Sequence, residues 1–167
     1  HISWSPSKAR AVMATIPGLR FFYDGQAEGR RIRTPVHLRR EPTEAVDAET
    51  AEVYRRLLKF THDPVIHEGE WQLLEVSPAW EESETYQAIL AWLWRQGSYW
   101  KMVVINYSTI RAQARIRLPE ALCKRVFILL RDALSDKTYE RSGSELESSG
   151  LYVDLPAWQA HLFDFTA

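Results

Sequence analysis

YQAILAWLWRQGSYWKMVVINYSTIRAQARIRLP, residues Tyr86 to Pro119, reads as three consecutive strands punctuated by two short turns, and this reading decides the fold class. Ala88, Leu90, Trp92 and Trp94 alternate with Gln87, Ile89, Ala91 and Leu93. The run is rich in β-branched and aromatic side chains, which suits a strand covered on both faces. Gly97-Ser98 turns the chain into a second apolar run, Tyr99 to Tyr107, and Ser108 and Thr109 supply the next turn. From Arg111 to Leu118 the alternation is clean, with Ala112, Ala114, Ile116 and Leu118 inward and Arg111, Gln113, Arg115 and Arg117 outward on one wet face. Sequential strands joined by turns this short are antiparallel.

Outward from this centre, everything after Asp63-Pro64 is strand-like. Glu70 to Val76 precedes the central three strands; Arg125 to Leu130, Thr138 to Arg141, Leu151 to Leu155 and Trp158 to Phe165 follow. Ser142-Gly143-Ser144, Ser148-Ser149-Gly150 and Pro156 read as loops, and Pro78 to Thr85, rich in Glu, as an exposed acidic connection. Several short strands with frequent turn signals predict an antiparallel sandwich or barrel over residues 63–167.

Residues 1–62 read differently. Ser5-Pro6 is a helix N-cap followed by proline, and Ala9, Val12, Met13 and Ile16 recur at helical spacing up to Pro17-Gly18. Leu19 to Tyr23 is a compact apolar run, expected as a short buried strand, ended by Asp24-Gly25. Asp24 to Val46 shows no periodicity and carries Arg30, Arg31, Arg33, Arg39 and Arg40, so it is a long loop of the kind that is usually functional or disordered. A second helix is expected from Asp47, its cap, to Phe60, with Ala51, Tyr54, Leu57 and Leu58 as the buried stripe. A single buried strand between two helices has no sequence neighbour to pair with, so this unit needs elements from outside it. The start, His1-Ile-Ser-Trp, lacks an initiator methionine and runs straight into a helix signal, so the chain is expected to be a fragment; His1 is given no role.

Composition bounds the function. Of 167 residues, 46% are hydrophobic and 26% charged, the balance of a globular chain. The net charge of −1, from 21 basic and 22 acidic residues, gives no global field toward nucleic acid or an anionic membrane. No run approaches the ~20 apolar residues of a membrane span. Cys123 has no partner for an intramolecular disulfide and is read as a small buried hydrophobe.

The order of elements resembles the C-terminal part of α-amylase-family enzymes, glycoside hydrolase family 13. In that family the last barrel strand follows a Pro-Gly turn and runs through apolar residues and a Tyr into Gly-Asp-Glu or Gly-Gln-Glu, and Pro17-Gly18-Leu19-Arg20-Phe21-Phe22-Tyr23-Asp24-Gly25-Gln26 stands in that place. Val104-Ile105-Asn106-Tyr107-Ser108 and Leu155-Pro156-Ala157-Trp158-Gln159-Ala160-His161-Leu162-Phe163 look like two strand motifs of the family's β domain. Ala27 follows Gln26 where many members have Glu, so the role of that Glu does not carry over. The resemblance implies a helix-strand-helix remnant of a (β/α)8 barrel over residues 1–62, then the family's C-terminal β-sandwich over 63–167. It also implies a glycosidase acting on α-glucans whose nucleophile, general acid and transition-state-stabilising carboxylates lie upstream. None of the three matches a position here.

On this reading Asp24, Gln26 and Glu28 sit just past a barrel strand, on the face where barrel active sites are built, beside the turn role that Asp24-Gly25 would serve in any case. Arg30 and its neighbours suit either a phosphate or a solvated loop packed on the barrel. Trp80, between Ser77-Pro78 and Glu81-Glu82, is the best aromatic platform for a sugar, with burial against the barrel as the other reading; Trp92 and Trp94 share one face at period two and belong to the core. His62 and His67 have no third ligand nearby, and Glu81, Glu82 and Glu84 lack the pattern of a calcium loop, so no metal or cofactor is expected. His161, central in the last strand, reads as a satisfied strand histidine. The expected partners are the upstream barrel, an α-glucan and, for the isolated chain, a second copy. A stand-alone carbohydrate-binding module using Trp80 is the rival reading.

Overall fold

The structure, a computed structural model, describes residues 7–32, 37 and 43–166. Helices α1 (Ser7–Thr15), α2 (Ala48–Thr61) and α3 (Pro64–Glu68) precede strands β1 (Glu70–Leu73), β2 (Val76–Pro78), β3 (Ile89–Gln96), β4 (Tyr99–Asn106) and β5 (Ala112–Ile116). Then come α4 (Glu120–Cys123), β6 (Phe127–Asp132), β7 (Thr138–Ser142), α5 (Gly143–Ser149), β8 (Leu151–Leu155) and β9 (Ala160–Thr166). All strand pairs are antiparallel. A six-stranded sheet runs in the order β1-β3-β4-β9-β6-β7 and a three-stranded sheet in the order β2-β5-β8.

Period-two alternation builds the sandwich. Ile89, Ala91 and Leu93 of β3, Met102 and Val104 of β4, and Ile128 and Leu130 of β6 face Ala112, Ala114 and Ile116 of β5 and Leu151, Val153 and Leu155 of β8 in one buried core. The other face of the six-stranded sheet carries Trp92, Trp94, Val103, Ile105 and Leu162, and the helices cover it with Ala11, Ala14, Leu57, Phe60, Val65 and Ile66. β3 and β4 are thus buried on both sides, as their continuous apolar runs predict. Gly97-Ser98 closes their hairpin between paired Gln96 and Tyr99, with Gly97 at φ 59°.

The expected third strand does not follow its neighbour in the sheet. Beyond Asn106 the chain leaves the six-stranded sheet, and β5 pairs with β2 and β8 instead; the second turn is a crossing between sheets. The single strand expected over Glu70 to Val76 likewise splits, because Leu74 is buried between the sheets while its N–H still donates to Ala91 O (2.9 Å). Where Ser142-Gly143-Ser144 and Ser148-Ser149-Gly150 suggest loops, α5 forms. The apparent breakers are its ends: a Cβ at Gly143 would lie 1.8 Å from Arg125 O, and Gly150, at φ 71°, donates to Leu146 O as a C-cap.

The N-terminal helices form with shifted faces. The Ser5-Pro6 cap lies outside the described residues; α1 buries Arg10, Ala11, Ala14 and Thr15, while Met13 and Ile16 of the expected stripe are exposed. Trp94 Nε1 donates to Thr15 O (2.6 Å), which sets that face. Asp47 caps α2 as expected, accepting from the N–H groups of Glu49 and Thr50, and Tyr54, Leu57, Phe60 and Thr61 are buried rather than Leu58. No strand forms at Leu19 to Tyr23. The segment is an unpaired stretch, since a strand needs a neighbour for its backbone groups and none of the described strands adjoins it.

Candidate functional site

Residues 19–32 lie on the helical side of the sandwich, held from beneath by polar hooks. Arg20 Nη2 donates to Ile66 O (2.8 Å) and Nη1 to His67 Nδ1 (3.0 Å). Gln26 is buried: Nε2 donates to the Tyr54 hydroxyl (2.5 Å) and Oε1 accepts from Tyr23 N–H (3.2 Å). Phe22 meets the Tyr54 ring edge-on and Arg10 lies 4.6 Å above that ring. Glu44 accepts from the N–H groups of Arg31 and Ile32, which hold its pKa below the ordinary value, and Asp47 N–H donates to Glu28 O (2.9 Å). The long loop therefore closes on itself at its base; Arg33, Arg39 and Arg40 lie outside the described residues.

The outward side of this anchored segment is apolar. Leu19 is 95% exposed, Phe21 68% and Tyr23 59%, with Ile32, Met13 and Ile16 also open to solvent. Of the sequence-predicted site residues, Asp24 is exposed 3.9 Å from Arg30, and Gln26 spends its amide on the turn. Trp80 is 53% exposed in the turn after β2, on the three-stranded sheet. The thickness of the sandwich separates it from Asp24, Gln26, Glu28 and Arg30, so the five predicted residues make two locations.

Two charged groupings are additional to the predicted ones. Lys101, the one cation inside the apolar run of β4, is buried with its ammonium hydrogen-bonded to Asp164, 3.3 Å from Asp63 and 4.3 Å above the Phe60 ring. It joins the sheet to the α2–α3 corner. On the opposite face of β9, Asp132 is buried and accepts from Ser135 Oγ (2.6 Å) and from the N–H groups of Leu134 and Leu162, with His161 Nδ1 at 3.0 Å. Burial pushes its carboxyl up, but the bonds from His161, Ser135 and Leu162 outweigh that and leave it below the ordinary value. A lone cation in an apolar strand is a signal legible in sequence; a partner 29 residues away from Asp132 is not.

Chemically, these carboxylates are occupied. Asp136, Asp154 and Glu52 sit against Arg56, Arg111 and the Arg55–Arg56 pair, which lower their pKa values, that of Glu52 to about 2. Every displaced carboxyl among the described residues moves downward, away from the raised pKa of a glycosidase general acid. Ser135 donates to Asp132 rather than to His161, so the trio is not a nucleophile relay. Among the described residues no group of three or more His, Cys, Asp or Glu is placed to hold a metal ion.

Neither a protein-family model nor a curated protein sequence matches the chain. Solved structures do. A noncanonical maltogenic α-amylase from Thermotoga neapolitana superposes with a TM-score of 0.72 at 13% identity, over 98% of this chain and 37% of that one. An α-amylase from Geobacillus thermoleovorans, solved with acarbose, gives 0.69 at 15% identity over 96% and 33%. A debranching enzyme from Nostoc punctiforme gives 0.59 at 19% identity over 93% and 28%. The chain thus spans about a third of the length of the enzymes it matches, and its fold is that of the C-terminal part of α-amylase-family enzymes.

Proposed function

We propose that this chain is the non-catalytic C-terminal portion of a glycoside hydrolase acting on α-glucans, in which the β-sandwich supports a catalytic barrel and residues 7–62 complete that barrel. One observation carries the reading: a segment fixed in place by Arg20 and Gln26 turns Leu19, Phe21, Tyr23 and Ile32 to solvent. A chain that hydrogen-bonds a segment this well and leaves its apolar side bare has shaped it for a further layer. The unpaired stretch at Leu19 to Tyr23 then becomes a strand when a barrel neighbour supplies its ladder.

The isolated chain is expected to turn over no maltooligosaccharide and to self-associate through this face. Light scattering checks the second point: a Leu19→Ser, Phe21→Ser double variant with unchanged circular dichroism should run as a monomer. A parent chain that is itself a monodisperse monomer, or that hydrolyses maltooligosaccharides, overturns the proposal. The exposure of Trp80 favours the rival reading of a stand-alone glucan-binding module, which requires that Trp80→Ala abolish oligosaccharide binding.

A further inference from the structure

Where β8 of one sheet, β6, β7 and β9 of the other, Arg111 just before β5 and Val53 of α2 come together, a groove of about 530 Å³ opens, within the range of about 300–1,000 Å³ usual for small-molecule sites. Its walls contain more hydrogen-bonding capacity than the fold uses. Asp132 is ionised and accepts only, so the proton between it and His161 belongs to Nδ1, and His161 is held with Nε2 left over. Stacking on Phe163, with ring centroids 4.9 Å apart, and the edge of Tyr139 fix the plane of the imidazole. Nε2 of His161, the Tyr139 hydroxyl, the Gln159 amide and the Lys137 ammonium line this groove and hydrogen-bond to none of the described residues.

Charge narrows the ligand. Arg111 is spent on a two-point bond to Asp154 (2.6 Å and 2.6 Å), and Lys137 and Asp132 are opposite in sign, so the two cations and two carboxylates of the walls carry no net excess. A phosphate would find one uncommitted ammonium and two carboxylates. A neutral polyhydroxylated molecule finds alternating donors and acceptors beside the Tyr139 ring and Pro156.

We propose that this groove binds a short oligosaccharide, holding a glucan chain on the sandwich where it borders α2. The site stands on the groove itself; that the saccharide is α-linked rests on the function proposed above. Calorimetric titration of the chain with maltopentaose and, separately, cellopentaose tests both. Maltopentaose should bind. Tyr139→Phe and Gln159→Ala, each with an unchanged thermal midpoint, should each weaken binding about fivefold, the worth of one hydrogen bond, while Trp80→Ala leaves it unchanged. Binding of cellopentaose alone, lost in the same two variants, upholds the groove and overturns the α-glucan reading. Binding of neither sugar, or binding that survives Tyr139→Phe and Gln159→Ala, overturns the groove.

Discussion

Replacing Asn106 by alanine should unpin two loops at once. Its side chain is fully buried where the chain leaves β4. Nδ2 lies 2.7 Å from Ile110 O and 3.0 Å from both Leu155 O and Pro156 O, and Oδ1 accepts from Ser108 N–H (3.0 Å) and Oγ (2.8 Å). An amide has two N–H donors, so the three carbonyls share two bonds, and with the two accepted bonds the side chain makes four. At about 1 kcal/mol net for each of the four bonds, with water making good about one of them at the exposed Ser108–Ile110 turn, the loss is about 3 kcal/mol. Urea unfolding followed by tryptophan fluorescence reads this as a midpoint lowered by about 1.5 M at an unchanged slope of about 2 kcal/mol/M. Asn106→Asp keeps the acceptor and removes both donors, so it should destabilise at least as much. An alanine variant within about 0.3 M of the parent, or a harmless aspartate, would refute the assignment of Asn106 as the clasp.

Ile116, fully buried between the sheets, should cost several kcal/mol when changed to Asp, while Arg115→Asp, which gives up two long bonds to Ala79 O and Ser149 O (3.4 Å each), should cost about 1 kcal/mol; equal losses in urea would mean a wrong register. Asp132 has a folded pKa below its unfolded value, so its contribution is complete above an ordinary value of 3.8 and fades as pH falls through the lower folded one. Asp132→Asn should flatten the acid limb of stability against pH below about 4, and an acid limb as steep as the parent's would remove Asp132 from the explanation.

The sandwich was legible because β5 alternates without exception and β3 and β4 are mostly apolar, patterns set by local pleat and burial. Sheet assignment was not: whether Ala112 pairs beside Asn106 or crosses to Leu155 depends on Asn106 bonding to carbonyls some 50 residues away, a distance no local pattern encodes. Helix α5 hid behind its own Ser and Gly ends. The stripe of α1 was misplaced because Trp94 selects the face, and Trp94 is 79 residues from Thr15. At the candidate site, turn chemistry at Asp24-Gly25 and the exposure of Trp80 could be read from composition and neighbours. Gln26 read as a substrate contact, and its bond to the Tyr54 hydroxyl, 28 residues away, has no local signal; the His161 groove needed four separate strands to meet.

The position of β9 bears on how the protein is made. It is the last strand in chain order, yet it lies between β4 and β6 in the middle of the six-stranded sheet. On a ribosome the β3–β4 and β6–β7 hairpins emerge as separate halves, each with an open edge facing the surroundings. At about 5–20 residues per second, the roughly 50 residues from Asn106 to Ala160 leave the β4 edge unsealed for about 3–10 s. A stop codon at Ala160 would remove β9 and leave those halves permanently unjoined, although every other strand of the sheet had been made.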